Sequence, residues 1–321
     1  MQSSPLQNPR SLPLLALEED TLHLPQGDRV VAPVAAVADR PYWAAVASQA
    51  LKQGRALFNQ GRYPLALAQL HEALGGYQQA ADQANQARVL LVLGTAYYRL
   101  ADYLWAADYG RQCLHLVQTL QDQPLQQQAL EHLGNSYRHL GNPQAALDYM
   151  GQSLQLAKEL GDPQAEMRVL NNLAMVYRAK GLNRQAATLY EASLLMAKSL
   201  GETQVALQIL QNLGNTYQTL RHYAQAIDCY EQFLRLNEEH PGTVASNHIT
   251  RRVLTQLTHA SVAIHDFNRA IVYLQRHLAL ACTLGDSKAA TALIDELSQC
   301  YMALNQVRSF HPPAAVPRSR A

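Results

Sequence analysis

The chain has 321 residues, of which 48% are hydrophobic, and its 26 lysines and arginines nearly balance its 25 aspartates and glutamates. This hydrophobic content excludes a wholly disordered chain, and a net charge of +1 argues against a dedicated nucleic-acid-binding protein, which needs a marked excess of basic residues. The four cysteines form no Cys-x-x-Cys pair, so neither a zinc site nor a redox pair is predicted.

The cysteines and the apolar runs together favour a cytoplasmic location. Each thiol is interpreted as a small buried hydrophobic group in a reducing compartment. No run of 18 apolar residues is present that could span a membrane. The short apolar runs at residues 12–17 and 30–38 are both interrupted by proline, which argues against a signal peptide.

Residues 1–40 are predicted to form a mostly disordered tail. Five prolines interrupt this segment, and it shows no clear periodicity. The helical part of the chain is expected to begin at residue 41.

A period of 40 residues then organises most of the sequence. Three sets of positions keep this spacing in step, and a chance pattern would not do so. The first set is the leucine of a Leu-Gly-x-x-Tyr pattern, the second an alanine and the third a leucine: Leu93, Leu133, Leu173 and Leu213; Ala106, Ala146, Ala186 and Ala226; Leu120, Leu160 and Leu200.

Within each period the apolar spacing is helical. Leu170, Leu173, Ala174 and Tyr177 fall at i, i+3, i+4 and i+7, which places them on one stripe of a helix. The segment 141–143, Gly-Asn-Pro, predicts a turn between two helices, because glycine ends a helix while asparagine caps the next one. Each period is therefore predicted to be a helical hairpin, with helix A followed by helix B.

Glycines inside helix A are predicted to serve close packing. Gly94, Gly134 and Gly214 each replace a better helix former, at about 1 kcal/mol relative to alanine. That cost is tolerable if helix B approaches closely at the glycine. A hairpin of about 40 residues cannot bury its own apolar face, so neighbouring hairpins must stack.

The pattern predicts six hairpins. The first runs from about Tyr42 to Tyr77, and the sixth follows a four-residue insertion within 238–247, which lengthens its spacing to 44 residues. Residues 289–305 are predicted to form a C-terminal capping helix, and residues 307–321 a second disordered tail containing proline and arginine. The array itself is assigned to residues 41–306, and the fold class is all-α.

The Leu-Gly-x-x-Tyr pattern of helix A and the alanine of helix B resemble the tetratricopeptide repeat (TPR) family, over roughly residues 42–305. The 40-residue period closing in Leu-Gly-Asp is similar to the subgroup found in Pins-type adaptors and bacterial TPR proteins. This resemblance implies a right-handed superhelix, an α-solenoid, whose helices A line a concave groove that holds a peptide or a partner helix. The turn residues Ala101 and Arg221, and Thr258 and Ser261 in the sixth hairpin, depart from the pattern.

Helix A positions outside the Leu/Gly/Tyr stripe are predicted to face this groove. Carboxamides offer both donors and acceptors to the backbone of an extended peptide, and arginines can hold carboxylates. In the family, asparagines at the positions of Asn135, Asn172, Asn212 and Asn215 commonly bind a peptide's backbone or terminal carboxylate. The predicted groove residues are Arg99, His132, Asn135, Arg138, Arg168, Asn171, Asn172, Arg178, Gln208, Asn212, Asn215 and Gln218.

The predicted function is that of a non-enzymatic scaffold or adaptor that binds an extended or helical partner segment of acidic or polar character. No catalytic, nucleotide-binding or metal-binding motif is found, so neither an enzyme nor a cofactor is predicted. The alternative is a regulatory sensor or complex-assembly factor whose superhelix responds to a ligand. A further possibility is that the tail segment 14–20, apolar and then acidic, occupies the groove, although a solvated tail is the simpler interpretation.

Overall fold

The computed structural model describes residues 39–240 and 247–310. Within these residues the chain forms thirteen α-helices joined by short turns, and no strand occurs among them. The helices are α1 (Arg40–Asn59), α2 (Tyr63–Gln79), α3 (Gln83–Arg99), α4 (Tyr103–Leu120), α5 (Gln123–His139), α6 (Pro143–Glu159), α7 (Pro163–Ala179), α8 (Asn183–Ser199), α9 (Thr203–Thr219), α10 (Tyr223–Glu239), α11 (Asn247–Ala263), α12 (Phe267–Thr283) and α13 (Ser287–Phe310).

The predicted all-α solenoid of six hairpins and a capping helix is confirmed. Each odd-numbered helix from α1 to α11 packs against the even-numbered helix that follows it, and α13 packs against α12. The capping helix is longer than predicted, since it begins at Ser287 and continues to Phe310. Residues 1–38 and 311–321 of the predicted tails lie outside the described residues, as does 241–246 of the predicted insertion, whereas 307–310 belong to α13 instead of the predicted tail.

Curvature follows from the contacts between alternate helices. Besides its sequential neighbours, α3 approaches both α1 and α5, while α5 approaches α7 and α9 approaches α11. No pair of even-numbered helices comes as close within the described part of the chain. A stack whose odd-numbered helices are closer together than its even-numbered ones must bend toward the odd-numbered side. The predicted helices A therefore form the inner wall.

Short polar residues begin many of the helices, as predicted. The side chain of Asn142 accepts a hydrogen bond of 3.1 Å from the backbone N–H of Ala145, and Asp162 accepts one of 2.9 Å from that of Ala165. Such caps satisfy backbone donors that have no partner inside the helix, and each stabilises by roughly 1 kcal/mol.

The turns between helices use the left-handed backbone conformation. Gly181, for example, has φ of 76°, and Gly141 has φ of 74°. Five described turn positions carry another residue instead of glycine, and φ is still positive there, for example 61° at Ala101 and 59° at Arg221. The turn geometry is therefore kept where the sequence departs from the pattern, at the energetic cost that a Cβ adds in this conformation.

Helix A glycines are sites of close approach between the two helices of a hairpin. A Cβ added at Gly214 would lie 2.5 Å from Cε1 of Tyr230 on α10, and one added at Gly94 would lie 3.3 Å from the backbone oxygen of Ala106 on α4. At Gly134 the added atom would meet the side chain of Met150 on α6. The predicted packing role of these glycines is confirmed, and it fixes which helix B residue lies behind each part of the inner wall.

The described helices give no indication of a membrane-spanning segment. None of them combines the length and the apolar character that crossing a bilayer requires.

Candidate functional site on the inner wall

We define the inner wall as the side chains of α3, α5, α7, α9 and α11 that lie toward the neighbouring odd-numbered helices. Polar contacts join these helices in two places away from charged groups. Thr95 Oγ1 lies 3.4 Å from Nε2 of His132, linking α3 to α5, and Nε2 of Gln218 donates a 3.0 Å hydrogen bond to the backbone oxygen of Gln256, linking α9 to α11. His132 and Gln218 thus each make a polar contact between neighbouring inner helices.

A carboxylate on α5, Glu131, joins two predicted groove residues of α7. Nη2 of Arg168 lies 3.5 Å from Oε2 of Glu131, and Nδ2 of Asn172 donates to Oε1 at 3.2 Å. Only 13% of the Glu131 side chain is exposed. Its burial raises the pKa of Glu131, and the adjacent guanidinium of Arg168 opposes this shift. Arg168 and Asn172 are therefore engaged within the protein.

His132, next to Glu131, is held in its neutral form. Burial lowers the pKa of His132 to about 4, and the guanidiniums of Arg168 and Arg99 add to this effect. Near neutral pH, His132 therefore offers a neutral ring to the wall. The charge in this part of the wall comes from Glu131 and the arginines.

Further along the wall, on α9, Asn215 is paired from behind. The hydroxyl of Tyr230 on α10 donates a 2.7 Å hydrogen bond to Oδ1 of Asn215 and lies 3.3 Å from Oε1 of Gln218. Tyr230 is fully buried against Gly214, and burial raises its pKa. A helix B tyrosine thus reaches through the hairpin to bind the inner-wall amides.

Each of the two preceding hairpins keeps one member of this tyrosine–asparagine pair and has methionine in place of the other. Forty residues before Tyr230 and Asn215 the residues are Tyr190 and Met175, and a further forty residues back they are Met150 and Asn135. The hydroxyl of Tyr190 and Oδ1 of Asn135 are both buried, and neither finds a hydrogen-bond partner among the described residues.

Two arginines lie next to these unpaired groups. Burial raises the pKa of Tyr190, and the guanidiniums of Arg178 and Arg138 act in the opposite direction, that of Arg178 also as a hydrogen-bond donor to the hydroxyl. Nη2 of Arg138 lies 2.7 Å from Nε2 of His139 and 3.4 Å from the hydroxyl of Tyr98, whereas its buried Nε has no partner among the described residues. Within the described chain, neither arginine has a carboxylate within 4.0 Å of its guanidinium.

The other predicted groove residues differ in accessibility. Asn171 is only 6% exposed and its Oδ1 has no partner in the described structure. Asn212 is half-buried, whereas Arg99 and Gln208 are exposed. The predicted residues therefore differ in their contacts: Arg168 and Asn172 bind Glu131, Asn215 and Gln218 contact Tyr230, and the carboxamide oxygens of Asn135 and Asn171 have no partner among the described residues.

Sequence reasoning missed Glu131 on the wall, and Tyr190 and Tyr230 behind it on α8 and α10. Glu131 could have been found, because it lies 40 residues before Asn171, which was included. The tyrosines lie on helix B and were hidden by the assumption that helix A alone supplies the wall. The sequence signal for a large helix B side chain is a small residue on helix A. Gly214 faces Tyr230, and Ala174 is the equivalent position in the hairpin of Tyr190.

No group of three or more histidine, cysteine, aspartate or glutamate side chains in the described ranges is arranged to hold a metal ion. Cys113 and Cys229 are buried, and burial raises the pKa of each thiol to about 12. Such thiols are poor nucleophiles at neutral pH.

Residues 125–199 and 165–239 match a model of the tetratricopeptide repeat. No curated protein sequence matches the chain.

Many solved structures resemble the fold, all at low sequence identity among those described here. BtubC from P. vanneervenii is 19% identical with a TM-score of 0.57, covering 77% of this chain and 92% of its own. A STAND protein with a tetratricopeptide repeat sensor from Pyrococcus horikoshii is 16% identical with a TM-score of 0.63, covering 80% of this chain and 42% of its own. A Rap protein complexed with Competence and Sporulation Factor is 15% identical with a TM-score of 0.56, and the match covers 80% of this chain and 75% of the Rap protein.

Proposed function

Since this chain is a tetratricopeptide-repeat protein, and such repeats bind protein or peptide partners, we propose that it is a non-enzymatic scaffold or adaptor. Its ligand is an extended or helical segment of another polypeptide, which lies along the inner wall. Repeat solenoids present extended concave surfaces suited to this kind of binding.

The observation that carries the proposal is the unsatisfied hydrogen-bonding capacity of the wall. Oδ1 of Asn135, Oδ1 of Asn171 and Nε of Arg138 are buried side-chain atoms without partners in the described structure. Buried polar groups are normally hydrogen-bonded, because leaving one unpaired costs roughly 1–3 kcal/mol. The half-buried carboxamides of Asn135, Asn172 and Asn212 carry donors and acceptors that match the N–H and C=O groups of a polypeptide backbone.

The charges favour a partner segment with acidic and polar side chains. Arg138 and Arg178 have no carboxylate partner within the described residues, and Arg99 is exposed at the end of α3. The single carboxylate described above, Glu131, is already paired with Arg168. A positively charged wall raises the association rate of an acidic segment and excludes basic ones.

We place the protein in the cytoplasm, with no cofactor and no nucleic-acid ligand. The near-balance of 26 basic and 25 acidic residues supports the last point.

A second candidate function is a regulatory sensor or assembly factor whose superhelix changes pitch when a ligand binds. The fold similarity to a STAND protein with a tetratricopeptide repeat sensor, and to a Rap protein bound to Competence and Sporulation Factor, supports considering it. Small-angle scattering with and without a bound segment separates the two functions, because a passive scaffold keeps its shape.

The proposed function is tested by capture with matched variants. The wall variant combines R178Q with N212A, and the control combines R235Q with Q225A on the outer helix α10. Each pair removes one positive charge and one carboxamide at positions outside the buried core. Some proteins will be captured by the wild type and by the control but not by the wall variant. Synthetic peptides covering the sequences of these proteins are then tested for affinity to the purified wild type, control and wall variant. Equal affinity for the wall variant and the control would refute binding at the inner wall.

A further inference from the structure

We propose that α13 binds the α13 of a second copy of this chain, antiparallel to it, about a two-fold axis that passes beside Ser298. In this dimer each α13 takes the place that a helix B takes beside its helix A in a complete hairpin. The inference goes beyond the proposed function and does not depend on it, because α13 is not part of the inner wall.

The sequence of α13 is that of a helix A. Leu297, Ser298 and Tyr301 follow the Leu-Gly-x-x-Tyr pattern, with serine at the glycine position. One side of the helix, which carries Leu293 and Leu297, packs against α12. No helix follows α13 within the described part of the chain, and residues 311–321 contain three prolines, which do not suit the interior of a helix B. The side of α13 that a helix B would cover is therefore open.

The open side of α13 keeps large apolar side chains. Ile294 is 51% exposed, Tyr301 is 45% exposed and Met302 is 59% exposed. The leucines at the position of Ile294 in the second to sixth hairpins are at most 8% exposed: Leu90, Leu130, Leu170, Leu210 and Leu254. A cluster of exposed apolar side chains where each earlier hairpin has a covered one indicates a binding surface.

The other end of the array is built differently. Although Tyr42 is exposed in the first turn of α1, the open side of that helix also carries Gln49 and Gln53, both exposed. The equivalent residues of α3, Val89 and Leu93, are fully buried. A terminal repeat with a polar outer face keeps a solenoid soluble without a partner. The first hairpin has replaced apolar residues in this way, whereas α13 has kept Ile294 at its open side.

The hydroxyl groups on the open side of α13 are already paired within the helix. Oγ of Ser298 donates a 2.9 Å hydrogen bond to the backbone oxygen of Ile294, and Oγ1 of Thr291 donates one of 3.0 Å to that of Ser287. Covering this side with another helix therefore leaves neither hydroxyl without a partner. The small side chain of Ser298 lets two helices approach closely, as glycine does at the equivalent position of other hairpins.

A second α13 suits this surface because the surface is symmetrical about Ser298. At 3.6 residues per turn, Ile294 and Met302 lie about 40° to either side of Ser298 and about 6 Å from it along the helix axis. An antiparallel two-fold axis beside Ser298 places Ile294 at the same height as Met302 of the second copy. It likewise places Thr291 at the height of Asn305 of the second copy. All of these side chains are uncharged, so the contact buries no charge.

The dimer is expected to be weak. A single pair of helices covers much less area than the roughly 1,600 Å² of a standard stable interface. Association should therefore be visible at about 10–100 μM protein and be lost on dilution.

The test is sedimentation velocity of the full chain over a range of concentrations from about 1 to about 200 μM. The variants are I294K and M302E, studied separately and as an equimolar mixture. V272K on α12 is the matched control for I294K, because Val272 is also 51% exposed. L195E on α8, at a residue that is 72% exposed, is the control for M302E. Circular dichroism checks that every variant remains folded.

We expect the average mass of the wild type to rise with concentration toward twice that of the monomer. I294K and M302E should each weaken association at least fivefold, because a two-fold contact contains each substitution twice. V272K and L195E should change it by less than twofold. The equimolar mixture should regain association to within about threefold of the wild type, because a mixed dimer sets Lys against Glu on one side and keeps Ile294 against Met302 on the other.

Three results would overturn the proposal: a wild type that stays monomeric at every concentration, an equal loss of association in I294K and V272K, or a mixture of I294K and M302E that associates no better than either variant alone. The last result would exclude the antiparallel arrangement about Ser298. The inner wall is unchanged in all of these variants, so the proposed function is tested separately by the wall variant.

Discussion

The hydroxyl of Tyr230 donates a 2.7 Å hydrogen bond to Oδ1 of Asn215, whereas the equivalent hydroxyl forty residues earlier, that of Tyr190, has no partner in the described structure. The two tyrosines occupy the same position of helix B, and both are fully buried. Their difference comes from helix A, which carries asparagine in one hairpin and methionine in the other. One hydroxyl thus stabilises the fold through its bond to Asn215, and the other is buried without an equivalent acceptor on helix A.

Removing the two hydroxyls separately tests this difference. We predict that Y230F lowers the free energy of unfolding by about 1–2 kcal/mol, because it leaves buried Oδ1 of Asn215 without its donor. Y190F removes a hydroxyl that has no hydrogen-bond partner within 3.5 Å and only the Arg178 guanidinium nearby, so its free energy of unfolding should stay within about 0.5 kcal/mol of the wild type or rise. Urea titration of both variants measures the two values, and equal destabilisation would contradict the assignment.

Glycine substitutions test the close approach of helices within a hairpin. G214A should destabilise by about 1–3 kcal/mol, because the added Cβ meets the rigid ring of Tyr230 at 2.5 Å. The matched control is G151A within α6, where nothing lies within 4 Å of the added atom. We expect this control to stabilise by about 0.5–1 kcal/mol through helix propensity alone. Thermal unfolding measures the stability of both variants. A loss of stability in G151A as well as in G214A would argue against the packing explanation.

The turns offer a second backbone test. G181A places a Cβ at φ of 76° and should destabilise by about 1 kcal/mol, since the left-handed conformation is unfavourable for alanine. The reverse change, A101G at φ of 61°, should be neutral or stabilise by less than about 1 kcal/mol. Opposite signs of the two shifts in melting temperature are the expected outcome. A destabilising A101G would show that the side chain of Ala101 contributes more than its backbone strain.

His132 makes stability depend on pH. Its folded pKa of about 4 lies below the unfolded value of 6.5, so its contribution is complete above pH 6.5 and is lost as the pH falls toward 4. The loss is up to about 1.4 kcal/mol per pH unit within that window. Glu131 acts in the opposite direction, because its pKa is raised in the fold.

Two variants isolate the contribution of His132. H132Q should show a smaller loss of stability between pH 6.5 and pH 4 than the wild type. H115Q, at an exposed position on α4, should follow the wild-type profile. Identical pH profiles for H132Q and the wild type would contradict the neutral, buried state of His132.

The sequence predicts the fold further than it predicts the wall. The 40-residue period, the caps at Asn142 and Asp162 and the helix A glycines are confirmed, because apolar spacing and turn residues report directly on local structure. The 40-residue period does not predict which polar side chains pair with each other. Arg168 pairs with Glu131 only because stacking brings α5 and α7 together, and Tyr230 reaches Asn215 only from behind the wall.

The most direct test of a polypeptide ligand on the inner wall is site-specific photo-cross-linking with the captured partner segment. A photoreactive residue replaces Gln208, exposed on α9 at the position equivalent to Arg168, or Arg235, exposed on α10. We predict that the segment cross-links to position 208 and not to position 235. Cross-linking at 235 in the absence of any at 208 would contradict binding to the inner wall and place the partner on the outer surface.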